Sequence, residues 1–96
     1  MQIVENWSDV EGEVKELQHN PSDPFAVATV KVNSADPVGS FANLVSKDVG
    51  NDIAVRVPAA AVQRIGLTPG NRLRLRVRQA GLDRYFSHPE VIEKVS

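Results

Sequence analysis

The stretch NRLRLRVR, residues 71–78, decides how the chain is read. Arginine takes every second place, at Arg72, Arg74, Arg76 and Arg78, and Leu73, Leu75 and Val77 fill the gaps. A period of two belongs to a β-strand, whose side chains point alternately to opposite faces. One hydrophobic core accepts only the apolar set. The strand therefore buries Leu73, Leu75 and Val77 and leaves a row of guanidiniums, about 7 Å apart, on its outer face. That row either awaits phosphates or lies beside carboxylates that already neutralise it.

Upstream, PAAAVQRIGLTPG (58–70) reads as a short helix and a turn. Pro58 suits a first helical turn, where a missing N–H is harmless. Ala59–Ile65 favours helix, and Gly66 can end it in a left-handed cap with Leu67 packing back. Pro69 and Gly70 fit the central positions of a type II turn. Asp52–Val57 and Phe41–Ser46 are apolar runs separated by KDVGN, and Gly50–Asn51 predicts a hairpin between them. Phe25–Asn33 is the strongest strand: Phe25, Val27, Thr29 and Lys31 alternate with Ala26, Ala28, Val30 and Val32. In Asp9–Leu17, Val10, Gly12 and Val14 face one way and Asp9, Glu11, Glu13 and Lys15 the other. Gly12 inside that strand marks a bulge or sharp bend. Downstream, Gln79–Gly81 reads as a turn and Leu82–Phe86 as a short last strand. Ser87 and Glu90 have capping-box spacing around Pro89, which predicts a brief C-terminal helix with Val91, Ile92 and Val95 on its apolar side.

The resulting order is mainly β. It predicts one domain over residues 1–96, a small OB-like barrel of five to six strands. A short helix lies between the third and fourth barrel strands, and a second short helix at the C-terminus. Such a barrel closes by pairing its fourth strand with its first. Here that sets the arginine strand beside Asp9, Glu11 and Glu13. The charge distribution agrees. Residues 1–52 carry nine acids and three lysines, for −6, whereas residues 53–96 carry eight bases and three acids, for +5. Cross-strand pairing of opposite charges explains both halves at roughly 0.2–1 kcal/mol per pair. The alternative is a basic face for an anion or nucleic acid.

Composition excludes several classes. The chain has 96 residues, 42% of them hydrophobic and 24% charged, which is ordinary for a globular domain. No apolar run approaches the roughly 18 residues of a membrane span. The acidic start, MQIVENWSDVEGE, does not have the form of a signal peptide. The absence of cysteine excludes disulfides and thiolate metal sites and fits a cytoplasmic protein.

Two resemblances stand on quoted residues. The turn Ile65-Gly66-Leu67-Thr68-Pro69-Gly70 and the start Ser8-Asp9-Val10-Glu11-Gly12-Glu13-Val14 resemble TOBE/MOP-type modules. These are OB-like barrels found in transport ATPases and small molybdate-binding proteins. The resemblance implies a barrel and a small anion as ligand. Where that family's molybdate binders place a serine and a lysine, this chain has Ala59–Ala61 and the arginines. The second resemblance is local: Gly50–Leu75 is similar to the core of AbrB/MazE-like DNA-binding antitoxins. It implies a swapped dimer, with Arg56 as the residue that touches DNA.

The candidate binding residues are Arg72, Arg74, Arg76 and Arg78, with Arg56, Trp7 and Tyr85. Trp7 and Tyr85 are expected on the surface, covering a barrel end or stacking on bases, and Phe25 and Phe41 in the core. His19 and His88, with Asp23 and Asp83, lack metal-ligand spacing, and no cofactor is expected. No serine sits in a nucleophile elbow and the six glycines are dispersed, so no catalytic residue is assigned and no enzyme is expected. The expectation is a non-catalytic binding or interaction module whose ligand is a small anion, a nucleic acid or a protein partner.

Overall fold

The computed structural model describes residues 4–95. Five strands form a closed barrel: β1 (Ser8–Gln18), β2 (Phe25–Pro37), β3 (Asp52–Pro58), β4 (Arg72–Gly81) and β5 (Arg84–Lys94). Their order around the barrel is β1-β2-β3-β5-β4, and β4 closes back on β1. One helix, α1 (Ala59–Ile65), lies between β3 and β4 in the chain. The fold is mainly β, and this order with this helix is compatible with an OB-like barrel. All strand pairs are antiparallel except β3 with β5, which is short and parallel. Among the described residues, no helix is long and apolar enough to cross a membrane.

The period-two reading explains the core. Leu73, Leu75 and Val77 are fully buried, or nearly so, with Val10, Val14, Ala28, Val30, Val32, Val55 and Val57 around them. β1 pairs with both β2 and β4, and its register with β2 shifts at Gly12, as a bulge there predicts. A Cβ at Gly12 would run into the Lys31 carbonyl oxygen and come within 2.7 Å of Val30 Cγ1. Only glycine lets the two backbones approach so closely.

The helix and turn before β4 take the expected shapes. Pro58 sits one place earlier than expected, at the N-cap, in extended conformation. Gly66 is left-handed (φ 64°), and the Leu67 N–H reaches back to the Val62 carbonyl at 3.1 Å. Gly70 has φ 94°, and the Asn71 N–H closes the turn on Thr68 O at 3.2 Å.

Three expectations are corrected. No terminal helix forms among the described residues, because β5 runs through to Lys94. The local signal had another cause: Ser87 Oγ donates to the His88 carbonyl, and the N–H groups of Glu90 and Val91 donate to His88 Nδ1. This is a bulge around Pro89. From Ser87 to Ile92 the chain advances five residues, while β4 advances two, from Val77 to Leu75. Beyond it Ile92 enters the core opposite Leu75, a gain no exposed terminal turn offers.

The hairpin between Phe41–Ser46 and β3 is also absent. β3 pairs with β2, and Gly50–Asn51 folds onto β2 through Gly50 N–Val32 O (2.8 Å) and Val32 N–Asn51 O (3.0 Å). Phe41–Ser46 lies in the connection between β2 and β3, and only Val45 of that run is fully buried. Finally, β4 extends through Gln79–Gly81, and the chain reverses at Leu82–Asp83, where Asp83 takes φ 66°. Aspartate tolerates that conformation better than most non-glycine residues.

Candidate functional site

The arginine row lies outside the barrel, beside the acids of β1. Asp9 faces Arg76, Glu11 faces Arg74 and Glu13 faces Arg72 in the backbone ladder. The ion pairs follow with one diagonal. Arg76 grips Asp9 through Nε at 2.9 Å and Nη2 at 3.4 Å. Arg74 reaches Glu11 at 3.4 Å and Glu93 of β5 at 3.3 Å. Arg72 crosses to Glu11 at 3.0 Å, leaving Glu13 to Lys15 at 3.2 Å. The hydrogen bond to Asp9 raises the Arg76 pKa above its ordinary value. These pairs are solvent-exposed and each stabilises only slightly. Their consequence is electrostatic: three of the four guanidiniums are already neutralised.

Arg78 is different. The β1–β4 ladder ends at Ser8 with Val77, and the next residue on the β1 side is Trp7. On the other side Arg78 faces Phe86 of β5. Where its three companions meet carboxylates, Arg78 stands between two aromatic residues. Among the described residues, no carboxylate oxygen lies within 4 Å of it.

Around Arg78 lies a groove of about 470 Å³. Trp7, Phe25 and Phe86 supply its rings, and Pro24, Pro58 and Pro89 its edges. Phe25 and Phe86 meet edge to face, with centroids 6.3 Å apart and planes at 81°. Arg56 lies 5.9 Å from the centre of the Phe86 ring. Trp7 also borders a smaller hollow with Val38, Phe41, Arg76 and His88, and its ring is 5.5 Å from that of His88.

Trp7 is held in place by its neighbours in sequence. Asn6 is buried and exchanges two hydrogen bonds with the Gln79 backbone, at 2.8 and 2.9 Å. Ser8 is fully buried and donates to Asn43 at 2.6 Å. With both flanking residues anchored inward, strand alternation turns Trp7 outward.

The structure thus brings Trp7 and Arg78 together in the groove, sets Arg56 against its Phe86 ring, and leaves Arg72, Arg74 and Arg76 in the ion-pair row. Tyr85 is corrected: it is buried, and its hydroxyl donates to Asp48 at 2.8 Å beneath the β2–β3 connection. Burial, reinforced by that hydrogen bond to a carboxylate, pushes its pKa well above the ordinary value. Phe25 and Phe41, expected in the core, are 38% and 40% exposed. Ala26, Ala28, Val30 and Val32 take the inward positions of β2, so Phe25 shares the outer face with Lys31. Phe86 and the three prolines were not foreseen. The outward parity of Phe25 was a signal that could have added it to Trp7 and Arg78.

Among the described residues, no group of three or more histidine, aspartate or glutamate side chains is arranged to hold a metal ion. No protein-family model matches the chain, and no curated protein or solved structure is significantly similar to it.

Proposed function

We propose that this protein is a non-catalytic interaction module, an OB-like barrel that docks an extended segment of a partner protein in the Trp7–Phe25–Phe86 groove. The observation that carries this reading is the concentration of partly exposed rings and prolines around Arg78, the arginine of the row that has no acidic partner among the described residues. Aromatic residues and arginine dominate the energetics of protein interfaces, and aromatic-lined grooves accept extended, proline-containing segments.

The competing readings draw less support. A phosphate-tracking surface needs cations free to release counterions, whereas Arg72, Arg74 and Arg76 are committed to Glu11, Glu93 and Asp9. A TOBE-like anion pocket needs several donors converging on one point, and the groove offers Arg78 amid apolar walls. The antitoxin-like reading exchanges strands between two copies, whereas β3 pairs along its length with β2 of the same chain.

Trp7 is the only tryptophan and lines the groove, so its fluorescence reports occupancy. Peptides selected from a random display library on the intact protein should shift Trp7 emission saturably. Phe86→Ala, which leaves the core residues untouched, should abolish the shift. Oligothymidylate and tungstate should leave the emission unchanged. A saturable response to oligothymidylate that is lost in Phe86→Ala would replace the protein partner by a nucleic acid.

A further inference from the structure

We infer that the groove selects an acidic segment: a proline or aromatic ring seats between Trp7 and Phe86 while a carboxylate one or two residues away pairs with Arg78. This rests on the docking reading above and adds the chemistry of the partner.

The argument begins with charge. Arg72, Arg74 and Arg76 each have a carboxylate within hydrogen-bonding reach, and Arg78 has none among the described residues. Arg56, which lies against the Phe86 ring beside the groove, also has no such partner among them. Positive charge in and beside the groove therefore stays uncompensated among the described residues. Apolar walls lower the local dielectric and strengthen any pairing made there. A guanidinium offers a planar fork that fits a carboxylate through two parallel hydrogen bonds.

Direction follows from the neighbouring cleft. Arg78 also lines a second hollow, which contains Glu5 outside ion-pair distance. A partner's carboxylate entering that hollow would meet Glu5; one entering the groove meets Arg78 and rings. A basic segment would place its own cation against Arg78 and Arg56 with nothing to offset the repulsion. Size fits as well: the groove falls within the roughly 300–1,000 Å³ typical of binding sites. A ring and its neighbouring side chain are an occupant of that scale.

The test uses peptides selected on the intact protein. We expect them to carry aspartate or glutamate within two residues of a proline or aromatic residue. Changing that carboxylate to its amide should weaken binding about tenfold or more, as loss of a charge-assisted hydrogen bond does. Arg78→Gln, at an exposed position and with an unchanged melting temperature, should bind the acidic and amide peptides equally well. If the amide peptide binds the native protein as tightly as the acidic one, while Phe86→Ala still abolishes binding, docking stands and the acidic preference is wrong. If no selected peptide responds to Phe86→Ala, both proposals fall.

Discussion

Arg74 offers the most direct measure of whether the row is structural. It lies between Glu11 at 3.4 Å and Glu93 at 3.3 Å, with its side chain 56% exposed. Exposed pairs contribute about 0.2–1 kcal/mol each, so two of them give Arg74 about 0.4–2 kcal/mol. Arg74→Gln removes both attractions and leaves Glu11 and Glu93 their access to water. In a domain of this size, a loss near 1 kcal/mol lowers the melting temperature by about 4–8 °C. Arg78→Gln breaks no ion pair among the described residues and should stay within about 0.5 kcal/mol of the native protein. The assay is thermal and urea unfolding of both variants at low salt and at 1 M salt, where the Debye length falls to about 3 Å. Most of the Arg74 effect should vanish at high salt. A double-mutant cycle with Glu11→Gln should recover a coupling of a few tenths of a kcal/mol, reduced because Glu11 also holds Arg72. If Arg78→Gln destabilises as much as Arg74→Gln, or the Arg74 effect ignores salt, the division of the row into paired and free arginines is wrong.

Three further outcomes follow from the barrel. Gly12→Ala forces a methyl against the Lys31 carbonyl and Val30, and should lower stability by at least about 1 kcal/mol in urea unfolding; an unchanged midpoint would contradict the close approach. Tyr85 is the only tyrosine, and its raised pKa favours the protonated, folded form, so its stabilisation is complete below the ordinary pKa near 10 and is lost as pH rises beyond it. Tyrosinate absorbance should therefore appear only together with alkaline unfolding, and an ordinary titration in the folded protein would refute the burial. Residues 50–96 expressed alone should show collapsed amide dispersion, because β1 and β2 supply Val10, Val14, Ala28, Val30 and Val32 to the shared core; a folded fragment would overturn the single-barrel reading.

Local periodicity made the strands legible, and long-range contacts decided what it could not. Alternation located β1, β2 and β4 because each buries one face only, and β3 showed as a short apolar run. The β5 region misled because Ser87, Pro89 and Glu90 imitate a helix start, while the deciding contact, Ile92 against Leu75, is remote in sequence. Phe41–Ser46 misled because an apolar run that puts one side chain, Val45, into the core from a connection looks like one that pairs. The groove draws Trp7, Phe25, Pro58, Arg78 and Phe86 from five separate stretches, so nothing local joins them.

One step of arithmetic in the register does join two of them. In an antiparallel ladder, each step forward on one strand is a step back on the other. Once Asp9 faces Arg76, Glu11 must face Arg74 and Glu13 must face Arg72, as observed. Carried one pair the other way, the same register leaves Trp7 beside Arg78, on the outer face that Asp9, Glu11 and Glu13 share. The acidic row thus ends in an indole where the arginine row continues. A purely structural row has no use for that mismatch: an acid at position 7 would neutralise Arg78 as its companions are neutralised. On the docking proposal the mismatch has a use: Arg78, unpaired among the described residues, and the rings beside it are what a partner would meet.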